Sequence, residues 1–163
     1  MVAVRVPCPI VPSRREQIQM TDEEVRDFLD ERMVMQCATL GRDGVPHMVP
    51  LWFVRRGEEL IGWTYAKSQK ARNLERDARA TLGLEDGVQY HELRGVMLEC
   101  EVEIEHDTAA VEGYGLALFE RYAGDLTPEI RAAVAAQAPK RVGLRFVPSR
   151  VVSWDHRKLG GVY

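Results

Sequence analysis

The sequence predicts a single mixed α+β domain, mostly β, built around an antiparallel, barrel-like sheet. Three observations lead there. Apolar runs of strand length recur along the chain, several follow one another with only a tight turn between them, and segments of helical period interrupt them at a few places. The pattern gives about six strands with helices inserted between them. The 163 residues have room for one domain with a real core.

The elements follow in order. Residues 1–20 form a mildly apolar stretch broken by Pro7, Pro9 and Pro12, without the core of a signal peptide, and read as an irregular arm. Thr21 with Glu24 three residues later is a capping-box pattern, and Val25, Phe28 and Leu29 then share one face of a short helix. Strands are expected over 34–40, 45–55 and 60–65, with Asp43-Gly44 turning the first hairpin because that pair accepts positive φ. A short helix over 68–77 starts at Ser68 as N-cap, and residues 78–84 return to strand. Over 92–105, Val96, Leu98, Cys100, Val102 and Ile104 alternate with Glu99, Glu101, Glu103 and Glu105. One face is buried there, and the other is a solvated carboxylate row. Equally spaced carboxylates on one strand diverge, so they make a poor metal site. A helix over 106–123 carries Val111, Tyr114, Leu118, Phe119 and Tyr122, and Thr127 and Pro128 open another. Strand resumes over 141–146 and again over 151–154.

Composition excludes several classes. Hydrophobic residues make up 45% and charged residues 29% of the chain, ordinary for a globular protein. No apolar run approaches the roughly 20 residues of a membrane span. A net charge of −3 gives no bias towards nucleic acid or anionic lipid. Three cysteines, Cys8, Cys37 and Cys100, cannot all pair within one chain, which favours free buried thiols and a reducing cytoplasm. His47, His91 and His106 form no metal-ligand spacing, and no metal site is expected.

Residues 62–73 concentrate donors for an anion. Thr64 and Ser68 offer hydroxyls, Lys67, Lys70 and Arg72 offer charge, and the new helix offers free N–H groups. The alternative is a solvated helix face whose lysines pair with Glu75 and Asp77. The strand through Met48, Val49, Pro50, Leu51 and Trp52 suits a flat ring system, because a proline in a strand leaves a neighbouring carbonyl unpaired. Trp52 and Phe53 point to opposite faces, so at least one is ordinary core. Ser153, Trp154, Asp155 and His156 are consecutive and cannot align as a catalytic triad. His156 is either a group at a cofactor edge or a histidine held by Asp155. No catalytic acid or base is evident.

The order of parts resembles a known family. A short helix leads to Ala38-Thr39-Leu40-Gly41-Arg42-Asp43-Gly44-Val45-Pro46-His47. Then come Trp63-Thr64, Lys67-Ser68-x-Lys70, Asn73-Leu74 and Arg76-Asp77-x-Arg79-Ala80. This closely resembles the pyridoxamine-phosphate-oxidase-like flavin-binding split barrels, from about Thr21 to the C-terminus. The ending from Ser153 to Leu159 looks like the actinobacterial branch, many of whose members use the deazaflavin coenzyme F420.

The resemblance implies a six-stranded antiparallel split β-barrel of the FMN-binding type. It implies an arm over 1–20 and one cofactor-binding domain over 21–163. It further implies a homodimer with cofactor sites at its interface. Thr64, Lys67, Ser68 and Lys70 would bind the cofactor phosphate, with Asn73 supporting the turn. Met48 to Trp52 would lie along the ring, and Trp154 and His156 would complete the pocket. The expected activity is an F420-dependent oxidoreductase passing hydride to an unsaturated small-molecule substrate. The alternatives are an FMN-dependent oxidoreductase, or a non-catalytic carrier of flavin, deazaflavin or haem. Vitamin B6 oxidation is not expected, because the arginine-containing strand motif of the true oxidases is missing.

Overall fold

The structure, a computed structural model, describes residues 13–161. Ser13 caps a one-turn helix, α1 (Arg14–Ile18), inside the segment expected to be an irregular arm. Residues 1–12, with Cys8 and the three prolines, lie outside the described residues. Thr21 and Glu24 form the expected capping box, and α2 (Asp22–Glu31) buries Phe28 and Leu29.

Among the described residues seven strands form one antiparallel sheet: β1 (Met35–Leu40), β2 (Pro46–Leu51), β3 (Val54–Arg56), β4 (Glu59–Tyr65), β5 (Arg79–Asp86), β6 (Arg94–Glu105) and β7 (Arg141–Asp155). The strand order is β2-β1-β5-β6-β7-β4-β3. Two expectations change here. The run expected as one strand over 45–55 is two strands, which raises the count from six to seven. The segments expected separately over 141–146 and 151–154 are one long strand. It pairs with β6 from Gly143 to Asp155 and carries Pro148 beside a register shift, with Ser149 left over between the partners of Glu99 and Cys100.

The break at Trp52 and Phe53 curls the sheet into a half-barrel whose end strands are not hydrogen-bonded to each other. β2 and β3 lie at opposite ends of the strand order, yet only two residues join them. Two residues span less than about 11 Å, so the two edges of the sheet must come side by side. Glycine at 62 fits that closeness: a Cβ there would stand 3.1 Å from the Trp52 carbonyl oxygen.

A helix pays for the interrupted ladder. The Phe53 N–H donates to the Tyr122 hydroxyl at 3.0 Å, and the single hydroxyl hydrogen lies within reach of the carbonyls of both Phe53 and Met33, which share it. Arg121, one residue earlier, donates to the carbonyls of Leu29, Asp30 and Arg32, satisfying the end of α2.

Core packing divides in two. Inside the barrel, Met35, Cys37, Leu60, Leu82, Leu98 and Phe146 meet Phe28 from α2. Outside it, α4 (Thr108–Ala123) and α5 (Pro128–Gln137) cover β4 through Trp63, Val111, Leu118 and Val134. β4 is therefore apolar on both faces, with residues 60–64 all buried. Gly115 lets α4 approach: a Cβ there would lie 2.6 Å from the Trp63 ring. The glutamate row on β6 faces arginines of β7, with Glu99 paired to Arg150 and Glu103 to Arg145. No helix among the described residues is long and apolar enough to cross a membrane.

Candidate functional site

β4 ends at Tyr65, and the chain turns directly into α3 (Gln69–Arg76). The turn is held by bonds from Ser68 N–H to the Tyr65 carbonyl and from Ala66 N–H to the Lys140 carbonyl. Ser68 is the N-cap, its hydroxyl accepting from Ala71 N–H at 3.2 Å. The first turn of α3 therefore aims its amides at the end of β4.

Lys70 folds back from that helix into the protein and is only 7% exposed. Its ammonium donates to the buried Thr64 hydroxyl at 2.9 Å, and Thr64 Oγ1 lies 3.2 Å from Ser68 Oγ. Among the described residues Lys70 makes no ion pair within 4.0 Å. An ammonium carries three donors, so two remain for a ligand. Burial lowers the Lys70 pKa from its ordinary value, and the charge of Arg141 adds to that fall while Cys37 opposes it. A cation held this way, beside two hydroxyls and a helix start, is chemically an anion site.

The alternative reading of a salt-bridged helix face is not what forms. Asp77 is taken by Arg79, whose guanidinium holds that carboxyl down at about 2. Arg76 donates to the Leu40 carbonyl. Lys67 stands exposed in the turn, and Arg72 is exposed on the outer face of α3.

Asn73 is fully buried but does not face the anion cluster. Its amide donates to Thr39 Oγ1 at 3.0 Å and its oxygen accepts from Gln69 at 2.8 Å, which pins α3 against β1. Its contacts run along α3 and across to β1, with Thr39 as a partner the sequence did not single out.

Met48 and Pro50 project from β2, exposed, while Val49 and Leu51 are half-buried. β2 is an edge strand, which is why prolines at 46 and 50 are tolerated. Trp52 stacks on Tyr122 with ring centroids 4.2 Å apart and 9° between planes, and Phe53 is the one of the pair that enters the core.

Cavities lie at both ends of β2. One of about 540 Å³ is bounded by the β1–β2 hairpin and by Gln69 and Asn73. Another of about 250 Å³ lies between Pro50, Trp52, Trp63, Phe119, Gln137 and Arg141. A third, of about 420 Å³, sits on the outer face of the sheet over Ala38, Leu40 and Thr81, away from Lys70. Arg141 was missed by sequence reasoning. It is 71 positions from Lys70, counted as 141 minus 70, and only the pairing of Tyr65 with Arg141 brings it near.

Trp154 and His156 stand elsewhere. Trp154 packs on Gly95, and His156 Nδ1 lies 2.9 Å from the Tyr90 carbonyl oxygen, with the two rings edge to face. Asp155 bonds Arg157 rather than His156, and that guanidinium lowers the carboxyl's pKa. Within one chain the structure does not bring these residues to Lys70, because they end the same strand that Arg141 begins.

Comparisons with known proteins bear on the fold and the family. A conserved hypothetical protein from Mycobacterium tuberculosis is 41% identical, with a TM-score of 0.84, over 93% of this chain and 95% of that one. An F420 reductase is 26% identical, with a TM-score of 0.62, over 86% of this chain and 98% of that one. An FAD and heme binding protein from Mycobacterium smegmatis shares the fold at 21% identity, with a TM-score of 0.73, over 91% of this chain and 82% of that one. No curated protein matches the chain. The family profile described as pyridoxamine 5'-phosphate oxidase matches residues 21–155, nearly the whole of the described fold, and the chain belongs to that family.

Proposed function

We propose that this protein binds a phosphate-bearing flavin-type cofactor at the β4–α3 junction and acts as an oxidoreductase. The cofactor we assign is the deazaflavin F420, giving hydride to an unsaturated or conjugated small molecule. The observation that carries the reading is Lys70: a buried ammonium, bonded to Thr64 and flanked by Ser68, with no carboxylate to neutralise it. A phosphate supplies the missing charge and accepts from the free donors. Lys67, exposed in the same turn, adds a further cation. The F420 reductase neighbour at 26% identity is what supports a deazaflavin over FMN.

When bound, a deazaflavin supplies two-electron hydride chemistry, and the protein positions it and excludes water. The residues of this chain divide that work. Thr64, Ser68 and Lys70 hold the phosphate. The open edge of β2 from Met48 to Trp52 meets the ring with its backbone groups, and Asn73 keeps α3 in register with β1. The reading includes a cytoplasmic homodimer. The outer face of β1 and β2 supports it, since Met48 is 65% exposed beside Pro46, Pro50, Ala38 and Leu40. In such a dimer Trp154 and His156 approach the site from the second copy.

Fluorescence titration with F420 and with FMN, together with the absorbance of the protein as isolated, tests the reading. Tight F420 binding is expected. Tight FMN binding without F420 binding overturns the deazaflavin assignment, a Soret band favours a haem carrier, and no binding of any of them overturns the reading as a whole. Light scattering on the purified chain reads the dimer separately.

A further inference from the structure

We propose that the cavity of about 250 Å³ between the end of β2, α4 and the start of β7 is a second, distinct subsite. Its occupant is a small planar carboxylate, and Arg141 is its anchor. The proposal rests on the reading of the β4–α3 junction as the cofactor's phosphate grip. One anion held at Lys70 leaves the charge of Arg141 unanswered.

The geometry of Arg141 argues for a ligand. Its guanidinium lies 4.2 Å from the ring centroids of both Trp63 and Tyr65. Nε and Nη2 donate to the Gln137 side-chain oxygen at 3.1 and 2.6 Å. Among the described residues no carboxylate pairs with it, and Nη1 makes no hydrogen bond to the protein. Two aromatic faces and one amide therefore fix the plane of the fork and leave its other side open. A guanidinium so fixed recognises a planar carboxylate by two parallel bonds, which a mobile lysine does not match.

The walls select what the carboxylate is attached to. Pro50, Leu51, Trp52, Trp63 and Phe119 are apolar, and Phe119 stands edge-on to both indoles with centroids 6.4 Å away. An apolar cavity of about 150 Å³ holds benzene, and pockets for drug-sized ligands begin near about 300 Å³. The space fits one ring bearing an acid group and is too small for a tricyclic cofactor with its phosphate. It shares Pro50, Leu51 and Trp52 with the strand assigned to the cofactor ring, so the two occupants would lie side by side along that strand. A conjugated acid bound there would lie beside the cofactor's reactive edge.

Benzoate and its neutral isostere benzamide are the probes, with intrinsic tryptophan fluorescence as the readout, because Trp52 and Trp63 line the cavity. Benzoate is expected to bind saturably and at least about tenfold more tightly than benzamide, since only it completes a charge-assisted pair. Arg141→Met is expected to remove that preference, and Arg141→Lys to keep part of it. A large excess of inorganic phosphate, which goes to Lys70, is expected to leave benzoate bound. Equal binding of the two probes by the unmodified chain overturns the proposal, and this comparison needs no variant to fold. Displacement of benzoate by phosphate also overturns it, because Arg141 and Lys70 would then share one anion. Cofactor titration of Lys70→Met reads the earlier proposal on its own: unchanged cofactor affinity beside an intact benzoate preference sinks the phosphate grip and leaves the subsite standing.

Discussion

Replacing Lys70 by methionine separates what this residue does for binding from what it costs the fold. Methionine keeps the length and volume of the stem and removes the charge. Two effects of opposite sign follow. The lysine is 7% exposed and among the described residues bonds only Thr64, with no carboxylate paired to it, so its charge is buried with little compensation. Burial lowers its pKa, so the folded chain holds that proton less tightly than the unfolded chain does. This penalty is fully present at pH below the folded pKa and fades as pH rises through it. Removing the charge while losing one hydrogen bond to a hydroxyl is expected to be neutral or to stabilise by about 1 kcal/mol, raising Tm by about 2–4 °C. The cofactor, meanwhile, loses the ammonium's two free donors. Charge-assisted bonds of this kind contribute about 1.5–3 kcal/mol, so affinity is expected to fall by about ten- to a hundredfold. Circular-dichroism melting of the free protein and fluorescence titration with F420 measure the two quantities on one sample. A variant that melts several degrees lower and binds the cofactor as before would refute the reasoning, since Lys70 would then be a structural cation.

Two further outcomes follow from the core. Tyr122→Phe leaves the buried Phe53 N–H without a partner and is expected to cost about 1–3 kcal/mol, seen as a fall in Tm; an unchanged Tm would mean that the strand break does not depend on that hydroxyl. Burial pushes the thiol of Cys37 up to about 11 and that of Cys100 to about 12, from an ordinary value of 9.0. Both raised values contribute stability that is present below pH 9 and is lost as pH climbs towards 11 and 12. Peptide mapping after alkylation at pH 8 is therefore expected to find both thiols unmodified until denaturant is added, and rapid native labelling would contradict their burial.

Local signals in the sequence account for most of the fold. The Thr21–Glu24 box, the Asp43-Gly44 turn with Gly44 at φ 82, and the alternation along β6 each act over a few residues, and each forms as read. The two errors share a cause. Whether residues 45–55 make one strand or two depends on Tyr122, 69 positions beyond Phe53, and whether Pro148 ends a strand depends on the β6 register opposite it. Nothing adjacent in sequence carries either fact. The site divides the same way. Thr64, Ser68 and Lys70 are close in sequence and meet around one hydroxyl, so the cluster was legible from composition and spacing. Its lack of a counter-charge was not, because Glu75 and Asp77 lie within reach in sequence and turn elsewhere in space. Arg141 and Gln137 reach the site only through the pairing of β4 with β7.

Trp154 and His156 pose the remaining problem of placement. β7 runs for 15 residues from Arg141 to Asp155, and Arg141 lies at the Lys70 end of it. The 13 steps from Arg141 to Trp154 correspond to about 40 Å of strand contour, which curvature and a bulge shorten but do not fold back on themselves. One chain therefore cannot present both ends of β7 to a single cofactor. If His156 serves the site at all, it does so from a second copy related by a two-fold axis, and that has a consequence no single-chain role would share. Lys70→Met and His156→Ala chains, each weak in cofactor binding alone, would recover sites when mixed as subunits. A mixed dimer carries both lesions in one site and neither in the other, so random pairing restores about a quarter of the sites. Cofactor stoichiometry after co-refolding the two variants measures this directly. No recovery, with His156→Ala binding as well as the unmodified chain, would keep His156 to a role within its own chain, where it meets Tyr90 and Leu93, and leave Trp154 as the side chain that packs on Gly95.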